Sequence, residues 1–135
     1  MITTQSGLRI AQRHDELAEF TALLVGEGVR SYLEVGARHG DTFHHIMSAL
    51  PVGSRGVAVD LPEAKWGREG SRDYLLAAGH DLSLKGYDIQ IVIGDSADDS
   101  VIDEVTDLGP FDAVLIDGDH TYDAVMADWS NYRPL

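Results

Sequence analysis

Hydrophobic positions along this chain switch between short continuous runs and a repeat of three and four residues. Residues 31–36, SYLEVG, form an apolar run that closes on glycine. In the following DTFHHIMSALP, Phe43, Ile46, Met47 and Leu50 recur at i, i+3, i+4 and i+7, which predicts one buried face of a helix. Pro51 stands where a stop signal belongs. Residues 56–60, GVAVD, predict a second strand, 71–79 a helix, and 89–93, IQIVI, a third strand. Ser96 and Asp99 fit the Ser-x-x-Asp pattern of a capped helix start. Residues 111–116 predict a fourth strand, after which Tyr122, Val125, Met126 and Trp129 repeat the helical spacing. Ahead of them all, Asp15 to Glu27 predicts a helix with Leu17, Phe20 and Leu24 on one side.

Strands alternating with helices imply an α/β fold, a Rossmann-like parallel sheet with helices on both faces. Right-handed crossovers set the strand order at 3-2-1-4. The 135 residues suffice for one domain, and 44% hydrophobic content can furnish its core. Without cysteine there is neither a disulfide framework nor a thiolate metal site. A net charge of −13 repels phosphates and anionic lipid, so nucleic acid and membrane are set aside as partners. The first 17 residues lack a long apolar stretch, and a cytoplasmic protein is the expectation.

All four predicted strands end in polar groups that a core does not need. The first ends Glu34-Val35-Gly36, the second in Asp60, the third in Gly94-Asp95-Ser96, and the fourth in Asp117-Gly118-Asp119-His120. Ligands of open parallel sheets bind at these carboxyl ends, where the strand order reverses. Gly36 and Gly40 allow a tight turn and close approach. The helix beginning near Asp41 offers unbonded N–H groups, with the Thr42 hydroxyl beside them. Asp60 is placed for a ribose diol, and Asp95 and Ser96 for an adenine edge. A nicotinamide dinucleotide would want G-x-G-x-x-G, but Arg38 occupies the place of the close-approach glycine, and Glu34 has no task in that scheme. The other acids between Asp98 and Asp107 read as a solvated helix face. His44 and His45, without an obvious partner, read as surface or packing residues, and Trp66 and Tyr74 as packing; His39 lies in the loop that faces the ligand.

Glu34 to Thr42, EVGARHGDT, resembles motif I of class I S-adenosylmethionine-dependent methyltransferases in the form E-x-G-x-x-x-G-x-[ST] used by small-molecule O-methyltransferases such as catechol O-methyltransferase. IVIGDSADD resembles their adenine-holding segment, and VLIDGDHTYDAVMADW is similar to the IDGDHxY stretch of a related bacterial and phage group. The resemblance implies that Glu34 and the Gly36 backbone hold the methionine part of S-adenosylmethionine, with Gly40 in the same loop and Thr42 near the carboxylate. It implies Asp60 on the ribose, Asp95 and Ser96 on adenine, and Asp117 as the first of three ligands to a divalent metal such as Mg2+, beside the cofactor. It puts His120 where the catechol enzyme has its catalytic lysine, with Asp119 a rival general base.

Such enzymes continue past NYRPL into three more strands that supply the other metal ligands and much of the acceptor site. The expectation here is therefore a sheet lacking those C-terminal strands, as a fragment, a short form, or a sheet completed by another subunit. Methyl transfer to a hydroxyl of a small molecule is the implied reaction, and a non-catalytic module binding S-adenosylmethionine or a nucleotide is the alternative. With no fifth strand beside it, the apolar fourth strand is expected to pair with a second copy of the chain in a homo-oligomer.

Overall fold

Eight elements run α1 (His14–Gly26), β1 (Ser31–Val35), α2 (Asp41–Ala49), β2 (Arg55–Asp60), α3 (Ser71–Leu84), β3 (Asp88–Ile93), α4 (Asp99–Leu108) and β4 (Ala113–Ile116). A computed structural model describes residues 14–61 and 71–116 of the chain. All strands are parallel, in the order β3-β2-β1-β4. The order reverses between β1 and β4, as the alternation of strands and helices predicts.

The two faces of the sheet follow from the period-two alternation of each strand. Tyr32, Ala58, Ile89, Ile91, Ala113 and Leu115 pack with α1, α2 and α3 through Leu17, Phe43, Ile46, Met47, Leu75 and Leu82. Leu33, Val35, Val57, Val59, Val92 and Val114 pack on the opposite face against Val101 and Val105 of α4. Tyr32 and Phe43 stack with ring centroids 6.0 Å apart, fixing α2 over β1. At Gly56 a Cβ would lie 2.7 Å from the Met47 sulfur and 2.8 Å from Phe43, so the absent side chain is what lets α2 settle on the sheet.

Three boundaries differ from the sequence reading. The fourth strand begins at Ala113 and not at Phe111, because Asp112 turns its carboxylate onto the start of β1. Its Oδ2 accepts from the N–H groups of Arg30 at 2.9 Å and Ser31 at 3.1 Å. The N-cap position of helix α4 is held by Asp98 and not by Ser96, with no side-chain capping bond. Asp95 Oδ1 accepts from the Ala97 N–H at 2.9 Å and the Asp98 N–H closes on the Asp95 carbonyl at 3.0 Å, so a separate turn takes up residues 95–98 before the helix can start. Helix α3 also runs five residues beyond the expected 79, to Leu84, with Leu75, Ala78 and Leu82 keeping one buried face.

Candidate functional site

Parallel pairing lines up the carboxyl ends of the strands. Along that edge the order is Asp95 and Ser96 beyond β3, Asp60 at the end of β2, and Glu34 and Gly36 at the end of β1. Two strand spacings, about 10 Å, separate the β3 end from the β1 end. Glu34 and Asp60 share the face covered by α1–α3, since Glu34 pairs with Ala58 and Asp60 lies two residues on. Asp117, Asp119 and His120, the predicted metal and catalytic residues, lie outside the described residues, although β4 ends at Ile116, immediately before Asp117.

Glu34 is 2% exposed, and its Oε1 accepts from the Tyr32 hydroxyl at 2.7 Å. A carboxylate buried at a strand end needs such a donor, because desolvation without one is expensive. Tyr32 escaped the sequence reading, yet the i, i+2 spacing on a strand places the two side chains on one face.

The loop between β1 and α2 is folded onto the end of β2. Gly36 N–H donates to the Val59 carbonyl at 2.7 Å and Ala37 N–H to the same oxygen at 3.2 Å. Arg38 N–H donates to the Asp60 carboxylate. Gly40 N–H donates to the Ala37 carbonyl at 2.8 Å. The loop after β3 is stitched to the same strand end, Gly94 N–H donating to the Asp60 carbonyl at 3.0 Å. The amides of Gly36, Ala37, Arg38 and Gly40 are thus engaged within the protein, whereas a dinucleotide pyrophosphate needs loop amides turned toward it.

Gly36 and Gly40 have φ of 89° and 82°, left-handed values that glycine adopts freely. At Gly40 a Cβ would also lie 3.0 Å from Leu75 Cδ1 and 3.3 Å from Leu75 Cα, so this glycine seats the tip of α2 on α3. His44 N–H takes the Gly40 carbonyl as the first helical bond. Thr42 stands half-buried in that first turn.

Asp60 is half-buried. Burial pushes its carboxyl above the ordinary aspartate range, against the pull of the Arg38 N–H, the nearby Arg38 guanidinium and the Leu61 N–H. Asp95 is exposed and bonded to its own turn, while Ser96 is half-buried. His44 has the partner that the sequence did not disclose: its Nε2 lies 2.7 Å from Asp81 Oδ2 on α3, and Lys85 Nζ lies 2.7 Å from the same oxygen. Lys85 first and His44 second hold the Asp81 carboxyl below its usual range. His39 meets Tyr74 edge-on, with centroids 5.5 Å apart. Among the described residues no group of three or more His, Cys, Asp or Glu side chains is arranged to hold a metal ion.

This sheet order defines an open, parallel Rossmann-like α/β fold. The model of a family described as a methyltransferase domain matches residues 33–135, and the chain belongs to that family. Its fold is shared with solved structures of low sequence identity. The O-methyltransferase from Bacillus cereus, solved in complex with SAH, is 18% identical with a TM-score of 0.68, over 92% of this chain and 52% of that one. Cofactor-bound Rv0187 from MTB is 18% identical with a TM-score of 0.64, over 92% of this chain and 53% of that one. The chain thus spans about half the length of these structures. A search of curated protein sequences finds no match.

Proposed function

We propose that the chain binds S-adenosylmethionine at the carboxyl edge of the sheet between β1 and β4, reaching over the ends of β2 and β3, and transfers its methyl group to a hydroxyl of a small molecule. The observation that carries the reading is the pair of carboxylates, Glu34 and Asp60, on one sheet face beside a loop whose Gly36, Ala37, Arg38 and Gly40 amides are already bonded to protein. Such a site suits a ligand rich in donors, a ribose diol and an ammonium group, better than one rich in phosphate. Asp60 takes the ribose, Glu34 and the Gly36 backbone the methionine part with Thr42 near its carboxylate, and Asp95 and Ser96 the adenine.

In the reaction the bond from sulfur to methyl breaks as the bond from oxygen to methyl forms, and the hydroxyl proton passes to a base, His120 or its rival Asp119. Asp117, next in the chain after β4, is the proposed ligand for Mg2+, which when bound would lower the hydroxyl pKa. A cytoplasmic setting and self-association along the outer edge of β4 complete the proposal.

Calorimetric titration with S-adenosylmethionine, with and without Mg2+ and with NADH as control, tests it. Micromolar binding that weakens at least about tenfold in Asp60→Ala is expected, the loss of a charge-assisted bond. Binding without methyl transfer to any catechol-like acceptor would leave a non-catalytic binding module, and no binding would overturn the reading.

A further inference from the structure

Tyr32 and Glu34 are buried together on β1, 0% and 2% exposed. Two residues apart on the strand, they share the sheet face covered by α1–α3, and the Tyr32 hydroxyl donates to Glu34 Oε1 at 2.7 Å. The sheet makes room for this ring. The register sets Gly56 of β2 and Ala113 of β4 on either side of Tyr32, and Ala58 beside Glu34. Between such small neighbours the ring is covered by Phe43, in the first turn of α2, with centroids 6.0 Å apart and planes 21° apart. A phenylalanine would fill the same slot and make the same stack. What only tyrosine adds is the hydroxyl, and the hydroxyl goes to the carboxylate.

We propose that Tyr32 is a positioning residue for the methionine part of the cofactor: its hydroxyl fixes Glu34 in one rotamer and in its ionised form, and so aims the carboxylate at the cofactor ammonium. The inference rests on the reading of Glu34 as the acceptor for the methionine part, and deepens it. Burial works against the charge of a carboxylate, and an O–H donated to it favours the charge. An ionised carboxylate has about four acceptor positions, so the hydroxyl takes one and leaves capacity for the donors of an ammonium. Because the ring is pinned between the sheet and Phe43, the hydroxyl is a fixed donor, and the carboxylate it holds needs little reordering when the cofactor arrives. The proposed ribose acceptor, Asp60, lies on β2, and Asp95 and Ser96 lie beyond β3. Loss of the hydroxyl is therefore felt at the methionine end and not at ribose or adenine.

Calorimetry with S-adenosylhomocysteine and with its desamino analogue, which keeps the carboxylate and lacks the ammonium, tests the role in the wild type, Tyr32→Phe and Glu34→Gln, with melting temperatures alongside. The wild type is expected to prefer S-adenosylhomocysteine. Tyr32→Phe, which keeps the ring and its stack on Phe43, is expected to bind S-adenosylhomocysteine about tenfold more weakly and the desamino analogue almost unchanged. Glu34→Gln keeps an acceptor for the Tyr32 hydroxyl and drops the charge. It is expected to lose the same preference between the ligands, and adding Tyr32→Phe to it is expected to cost little more. Equal losses for both ligands in Tyr32→Phe, no loss for either, or a chain that does not fold without the hydroxyl would overturn the positioning role. A preference that survives in Glu34→Gln would overturn only the assignment of Glu34 and its partner, whereas a wild type that binds neither ligand would overturn the cofactor reading and this inference with it.

Discussion

Asp60 sits under two opposed demands. Burial disfavours its charge, and the proposed ribose contact needs that charge. Because its folded pKa is raised, the folded state holds its proton more tightly than the unfolded chain, and stability falls as pH rises through the window between the two values. Above that window the cost is constant. Asp60→Asn, which keeps the shape and drops the charge, is therefore expected to be more stable than the wild type at neutral pH. The difference should shrink as pH falls through the folded pKa of Asp60, and cofactor binding should be weakened about tenfold. Urea melts at several pH values check the first part and calorimetry the second. That Asp60 falls at the carboxyl edge of the sheet was legible, since an acid closing an apolar run in a β-α alternation does nothing for the core and marks the end of a strand. Its bond to the Arg38 N–H was not, because spacing along the chain says nothing about where a left-handed loop aims its amide. The link from His44 to Asp81 was hidden for a like reason, as two surface-reading helices meet only once the sheet has set them side by side.

Elements meet here through a few contacts that also shape the site. Strand β4 is fastened to β1 at its start by Asp112, which accepts from the Arg30 and Ser31 N–H groups and donates its own N–H to Ser31 Oγ at 2.8 Å. Those donors, the Arg30 N–H foremost, hold the Asp112 carboxyl below its usual range. A lowered pKa contributes stability above the unfolded value that is lost as pH falls through the folded one, so this clasp weakens in acid. Asp112→Ala is expected to cost about 1 kcal/mol at pH 7 and progressively less as acid protonates the carboxyl, read from denaturant midpoints. Gly40 is the corresponding joint between α2 and α3. Gly40→Ala adds left-handed strain to a clash with Leu75 and Ala78, and about 2–4 kcal/mol of destabilisation is expected, with cofactor affinity falling as the tip of α2 shifts. Element order and strand order could be read in advance because each rests on a run or period of several residues. The true starts of β4 and α4 could not, since each is decided by one aspartate choosing a nearby backbone N–H over continuation of the strand or helix.

Across the whole molecule two forces bear on how copies of the chain meet. Among the described residues β4 is bonded on one side only, to β1, and its four residues are half-buried apolar side chains. An edge of this kind offers a row of backbone donors and acceptors to another strand. Against it stands the charge of −13, which repels a second copy at any distance below the Debye length. At low salt that length is tens of ångströms, and repulsion reaches well beyond the edge; near 0.5 M salt it is roughly 4 Å, and the short-range pairing proposed along β4 would meet little of it. Self-association is therefore expected to strengthen as sodium chloride is raised, the reverse of an interface built on ion pairs. Replacing by proline a β4 residue whose N–H faces away from β1, which removes a donor from the free edge, should abolish it. Sedimentation velocity across a salt series reads both effects. A sedimentation coefficient that stays monomeric at every salt concentration, or an association that salt dissolves, would remove β4 as the meeting edge.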